Sequence, residues 1–167
     1  MSRPINILFI SKGNSVRSIL GEALATTLSH GRFIGYSAGT RPKGYLHPFS
    51  IKLIREWGYP LGVLRSKSWH EFGVEGAPHM DFIITLCDSA AGEECPYWPG
   101  HPSTTHWGFA DPTLSNDSEE VMWKAFRSLE LSLRNRIELL LDLPADKLDT
   151  MQMQVALSSI HTNLSKY

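Results

Sequence analysis

Ile5 to Ile10 is a short apolar run rich in isoleucine that breaks into Ser11-Lys12-Gly13-Asn14-Ser15 before apolar residues resume at helical spacing. Such a run suits a buried central strand of a parallel sheet. The small, turn-prone residues that follow let the backbone curl so that successive amides converge on one point. From Val16 onward Ile19, Leu20, Ala23, Leu24 and Leu28 recur three or four apart, which predicts a helix starting over that loop. Amides gathered at a helix N-terminus attract a tetrahedral oxyanion. Arg17, six positions after Ser11, adds a guanidinium whose fork can hold two oxygens of a phosphate or arsenate.

The 167 residues are expected to form one domain with a real hydrophobic core. A net charge of −1 gives no footing for nucleic acid or another polyanion, so the basic feature to explain is local, at Lys12 and Arg17. The N-terminus has no signal-peptide pattern and no apolar run is long enough to span a bilayer, which points to the cytoplasm. Two cysteines, Cys87 and Cys95, are too few for a secreted disulfide scaffold.

Beyond the first helix, Arg32 to Thr40 reads as a second strand ending in Ser-Ala-Gly-Thr. A helix is predicted from Phe49 to Trp57, with Pro48 at its start and Gly58 just past its end. Another short helix is expected around Trp69 and Phe72. Asp81 to Cys87 is a third apolar strand, separated from the second by helical material, which makes the βαβ pattern of a parallel sheet. Ligands gather at the carboxyl ends of such strands, where Ser11 and Cys87 both fall. Asp88 to Ser103 reads as a loop able to move, and Thr104 to Trp107 as a short fourth strand delivering Asp111-Pro112 to the same edge. Ser118 to Leu141 carries Val121, Phe126, Leu129, Leu133, Ile137 and Leu140 on one stripe and predicts a long helix over the sheet. A helical extension is expected over about 145–167.

The loop Ser11-Lys12-Gly13-Asn14-Ser15-Val16-Arg17-Ser18 and the following Ile19-Leu20-Gly21-Glu22-Ala23 resemble the C-x5-R-S cradle and first helix of the low-molecular-weight tyrosine phosphatases and of the thioredoxin-coupled arsenate reductases built on that fold. The resemblance extends to Tyr36-Ser37-Ala38-Gly39-Thr40, Arg65-Ser66-Lys67-Ser68, Cys95-Pro96-Tyr97-Trp98-Pro99-Gly100 and His106-Trp107. It implies a three-layer α/β fold with a central four-stranded parallel sheet flanked by helices. It also implies an oxyanion site formed by Ser11, Lys12, Gly13, Asn14, Ser15, Val16, Arg17 and Ser18, no bound cofactor, and thioredoxin as external thiol reductant. The first loop position is a cysteine nucleophile in that family and is serine here. A serine hydroxyl lacks the low-lying anion of a thiol, and oxygen cannot pass two electrons to arsenic by becoming a disulfide. The chain as it stands is therefore expected to be inactive or nearly so. An engineered knock-out and a natural non-catalytic homologue both account for Ser11, and the intact remainder of the machinery favours the former.

Cys87 and Cys95 lie eight positions apart, too far for a two-residue metal knuckle, and with the histidines scattered no metal is assigned. Two isolated cysteines are ordinarily small buried residues. The resemblance instead implies a relay in which Ser11, Cys87 and Cys95 occupy the three sulfur positions. Asp111 before Pro112 is by default an Asx turn, but its place after the fourth strand and the general acid that the resembled phosphatases carry there favour a catalytic role. Ser18 and Ser15 are positioned to donate toward the first loop residue, with helix capping an open role for Ser15. Lys12 reads as a solvated side chain at the mouth. The downstream cysteines and His106-Trp107 favour arsenate reduction, and Thr113 and Leu114 stand where phosphatases of this fold carry aromatic residues. A phosphotyrosine phosphatase is the alternative enzyme, and an oxyanion- or phosphopeptide-binding module the non-enzymatic one.

Overall fold

The computed structural model describes residues 3–88, 92–93, 104–114 and 118–143. Four parallel strands form one sheet: β1 (Ile5–Ser11), β2 (Phe33–Gly39), β3 (Phe82–Thr85) and β4 (Thr104–His106), in the order β2-β1-β3-β4. β1 is central, and its residues from Ile7 to Ser11 are buried because both its edges and both its faces are covered. The register pairs Ser11 with Gly39 and Ile10 with Thr85, so the carboxyl ends of β1, β2 and β3 lie side by side.

Three α-helices follow the expected segments: α1 (Arg17–Ser29), α2 (Pro48–Trp57) and α3 (Glu119–Leu141). Alternation along β1 divides the core. Ile7 and Phe9 join Ile19, Leu20 and Leu24 of α1, Leu53 and Ile54 of α2, and Phe126, Leu133 and Ile137 of α3. Leu8 and Ile10 point the other way, into a smaller cluster with Ile83, Ala38 and Met80 that is backed by Trp69 and Phe72. Helix limits follow the local chemistry. The His47 side chain accepts the Phe49 amide at 3.0 Å, Pro48 opens α2, and Gly58 closes it at φ 73°, a left-handed conformation that suits glycine. Ser118 caps α3 by accepting the Val121 amide at 3.3 Å.

Three expectations need adjustment. Val121 is exposed, since Met122 and Trp123 are the residues near the start of α3 that pack against the core, and full burial begins at Phe126. The segment around Trp69 is a four-residue 3-10 turn, Trp69–Phe72, capped by Ser68 and ended at Gly73. Trp107 falls just past β4 and is fully buried, where it meets Phe9 at 6.5 Å between ring centres. The expected C-terminal helix over about 145–167, the segment around Cys95 and Trp98 lie outside the described residues. Among the described residues no helix is long and apolar enough to cross a membrane.

Candidate anion cradle at the carboxyl edge of the sheet

Residues 12–16 link the end of β1 to the start of α1, and their carbonyls are drawn outward by donors from the segment after β2. The amides of Thr40, Arg41 and Lys43 donate to the carbonyls of Ser11, Lys12 and Gly13 at 3.3, 2.9 and 2.9 Å. Ser66 Oγ adds a second donor to Gly13 at 3.2 Å. The Ser15 carbonyl accepts from the His47 amide at 3.2 Å and from Ser50 Oγ at 2.9 Å. With the carbonyls tied back, the amide side of the loop faces inward. Among the described residues none of the amides from Lys12 to Val16 has an acceptor. Val16 occupies the N-cap of α1 and supplies no side-chain cap, so the first-turn amides are open to a ligand.

Two close approaches shape the loop. Asn14 sits at φ 45°, a left-handed conformation that asparagine tolerates better than most residues. Its side chain holds it there: Oδ1 accepts the Lys67 amide at 2.9 Å and Nδ2 donates to Ser18 Oγ at 2.7 Å. Gly39 lies directly behind, where an added Cβ would meet the Lys12 carbonyl oxygen at 2.6 Å. Only glycine allows the loop to lie this close to β2.

The resulting cleft holds about 250 Å³ and is lined by the loop residues together with Arg41, Lys43, Asp111, Thr113 and Leu114. Ser15 Oγ is buried in its wall with no hydrogen-bond partner. A buried hydroxyl without a partner is costly, and a ligand oxygen in the cleft would satisfy it. Ser15 does not cap α1. Lys12 is exposed at the mouth. Arg17 is buried, and its Nη1 donates to the carbonyls of Leu86 and Phe109, both at 3.1 Å. Those carbonyls fix the guanidinium plane at the edge where β3 and β4 end.

Asp111 serves its turn and faces the cleft at once. Its Oδ1 accepts from the Thr113 amide at 2.9 Å and from Thr113 Oγ1 at 2.7 Å, while Oδ2 lies 3.8 Å from Arg17 Nη2. Cys87 follows Leu86, whose amide donates to the Ile10 carbonyl at 2.8 Å and carries the β1–β3 ladder past the end of β3. Cys87 is buried and disulfide-bonded, and its Sγ lies 3.6 Å from His106 Nδ1. Burial, with the Arg136 cation adding to it, holds the His106 imidazole below its ordinary pKa. Cys95 lies outside the described residues.

Sequence reasoning missed Glu93, whose carboxylate pairs with Arg17 at 2.7 and 2.8 Å. Burial raises the Glu93 pKa, but the Arg17 bonds and the Asp88 amide outweigh it and hold the carboxyl below its usual range. A glutamate in a polar loop carries no pattern that would single it out. His106 was legible within the expected fourth strand Thr104 to Trp107 and in the His106-Trp107 pair that carries part of the resemblance, but its contact with Cys87 was not.

Residues 6–148 match the family described as low molecular weight phosphotyrosine protein phosphatase. An arsenate reductase of Shouchella clausii is 33% identical over 138 residues, 83% of this chain and 95% of that protein. An arsenate reductase of Bacillus subtilis is 33% identical over 132 residues, 79% of this chain and 91% of that one. The fold is similar to that of a solved arsenate reductase in the phosphate binding state, with a TM-score of 0.63, 26% identity, and 82% and 96% of the two chains covered. A four-stranded parallel sheet, a carbonyl-braced loop over a helix N-terminus and a buried arginine accompany these likenesses, and the chain belongs to the low molecular weight phosphotyrosine protein phosphatase family.

Proposed function

We propose that this chain is an arsenate reductase-type protein that binds arsenate or phosphate in the loop Ser11 to Ser18, with Ser11 in the nucleophile's place. The observation that carries this reading is the cradle: inward amides without acceptors, the unpartnered Ser15 hydroxyl and the buried Arg17 all converge on one cleft. Arsenate and phosphate share size and charge, so the cradle would accept both. The curated relatives named arsenate reductase favour arsenate as the substrate.

With serine at position 11 the cradle would bind the anion and not reduce it. A sulfur introduced there would attack arsenic and release water. Cys87 would then attack that sulfur, forming a sulfur–sulfur bond while the arsenic–sulfur electron pair leaves with arsenite. Cys95 would next displace the sulfur at position 11, leaving a Cys87–Cys95 disulfide for a dithiol reductant of the thioredoxin class to reduce. Arg17 would hold two anion oxygens throughout. Asp111 supports a second reading, hydrolysis of an aryl phosphate, because its Oδ2 stands beside Arg17 at the cleft, where it could protonate a leaving oxygen.

Calorimetric titration of arsenate and of phosphate into the unmodified chain tests the binding step. One site shared competitively by both is the expected result, and absence of heat from either contradicts the cradle.

A further inference from the structure

The buried cation of the cleft is already matched, because Arg17 donates from Nη1 and Nη2 to the two carboxylate oxygens of Glu93 at 2.7 and 2.8 Å. The cations at the mouth are not. Lys12, Arg41 and Lys43 line the same cleft and are exposed, and among the described residues no carboxylate pairs with any of them. Elsewhere on the surface Arg3, Arg65 and Lys124 each lie against an Asp or a Glu. Asp111 is the one carboxylate on the cleft wall, with Oδ1 engaged by Thr113 and Oδ2 beside Arg17. A chain of net charge −1 therefore gathers unmatched positive charge at one opening.

Two of these cations are carried on braced backbone. The amides of Arg41 and Lys43 donate to the carbonyls of Lys12 and Gly13, both at 2.9 Å, so the bonds that tie back the loop also place the two side chains. Pro42 between them has a fixed φ and disfavours helical backbone at Arg41. Gly44 then turns the chain at φ 84° and gives its amide to Ser66 Oγ at 3.0 Å. The stem of Lys43 lies across the loop. A Cβ added at Gly13 would meet its Cγ at 3.3 Å and its Cε at 3.2 Å, and the ammonium is one bond beyond Cε.

The cleft, at about 250 Å³, is also larger than one tetrahedral anion needs. Four oxygens at about 30 Å³ each fill about half of it. We propose that Arg41 and Lys43 form a second anion subsite at the mouth of the cradle, which takes small phosphate compounds with two anionic centres, inorganic diphosphate being the smallest. The inference rests on the anion-cradle reading above. The terminal phosphoryl group sits among the loop amides, the Ser15 hydroxyl and Arg17. The second group meets the Arg41 guanidinium, which can take two of its oxygens, and the Lys43 ammonium, which adds a point charge. Binding alone is involved, and no bond forms or breaks. A phosphate ester whose second group is neutral gains nothing from these two side chains.

The test is calorimetric titration of inorganic phosphate, phenyl phosphate and inorganic diphosphate without divalent cations, in about 0.15 M sodium chloride, where charges more than about 8 Å apart are largely screened. The unmodified chain should bind diphosphate about tenfold or more tighter than phosphate, the worth of one charge-assisted hydrogen bond, and phenyl phosphate should show no such advantage. Replacing both side chains, Arg41→Gln with Lys43→Met, should shrink the diphosphate advantage to within about twofold, whereas Lys43→Arg, which keeps the charge, should retain it. Ser15→Ala, within the cradle, should weaken both inorganic anions and leave their ratio in place. Equal affinities in the unmodified chain, an equal advantage for phenyl phosphate, or an advantage that survives the double substitution overturns the proposal. So does equal weakening of both inorganic anions by that substitution, or diphosphate binding that ignores Ser15→Ala. Failure of every sample to bind phosphate overturns the cradle reading itself, a result distinct from phosphate binding without a preference for diphosphate.

Discussion

Ser11 Oγ and Ser18 Oγ share a hydrogen bond of 2.6 Å, joining the last residue of β1 to the first turn of α1. Asn14 and Lys67 leave the Ser18 hydroxyl able to be the donor in that bond. The Lys67 amide donates to Asn14 Oδ1, which leaves Asn14 Nδ2 to donate to Ser18 Oγ at 2.7 Å. The Ser18 proton is thereby free to point at Ser11 Oγ. Such a donor stabilises an anion there, and a sulfur introduced at position 11 would have its pKa lowered by it. In the Ser11→Cys chain, removing the donor with Ser18→Ala should raise the thiol pKa by about one unit or more. Alkylation rates measured against pH would show this, and identical profiles with and without Ser18 would contradict it.

Arg17→Lys separates charge from geometry. Lysine keeps the positive charge and loses the planar fork and the two carbonyl contacts at Leu86 and Phe109. Phosphate binding should weaken by roughly a hundredfold, the cost of about one to two charge-assisted hydrogen bonds. Unchanged affinity by calorimetry would show that charge alone holds the anion.

His47 gives the fold a pH dependence with a defined sign. Burial, then the Lys43 cation, lower its pKa from 6.5 against a weaker opposing pull from Asp111. Its Nδ1 must be unprotonated to accept the Phe49 amide. Below pH 6.5 the unfolded chain takes up the proton before the folded one does, so stability falls as pH drops from 6.5 through the folded value. His47→Asn retains an N-cap acceptor without the titration. Urea unfolding at pH 7.5 and 5.5 should show a smaller loss for the variant, and parallel losses would contradict the assignment.

Gly39→Ala places a Cβ 2.6 Å from the Lys12 carbonyl oxygen, a backbone atom that cannot swing aside. The loop must move away from β2, with a stability cost of about 1–3 kcal/mol and weaker phosphate binding. Thermal unfolding and calorimetry on one preparation check both, and a variant of unchanged stability and affinity would mean that the loop has slack.

Much of this architecture was legible in the sequence because it depends on local chemistry. The isoleucine run and the small residues after it marked β1 and the loop, Pro48 and Gly58 bracketed α2, and Ser118 began α3. What was not legible depends on contacts between distant segments. Glu93 reaches Arg17 across 76 positions, and the Asn14 side chain meets Lys67 across 53; neither spacing has a periodicity. An Asp-Pro pair suits a turn and an acid alike; the sequence favoured the acid, and the two oxygens of the Asp111 carboxylate serve the turn and face the cleft.

Asp111→Asn in the Ser11→Cys chain exploits that division. Asparagine keeps the acceptor for the Thr113 amide and removes the proton donor. Hydrolysis of an aryl phosphate by the Ser11→Cys chain, where present, should fall by about 10²-fold or more, with thermal stability nearly unchanged. An equal rate would show that Asp111 serves the turn alone.

The most direct test of the central claim is arsenate reduction by the Ser11→Cys chain, with thioredoxin, its reductase and NADPH supplied and NADPH oxidation followed. The account predicts arsenate-dependent oxidation that vanishes on Cys87→Ser or Cys95→Ser and is absent from the chain carrying Ser11. No arsenate-dependent oxidation, together with aryl-phosphate hydrolysis indifferent to Cys95→Ser, would contradict it.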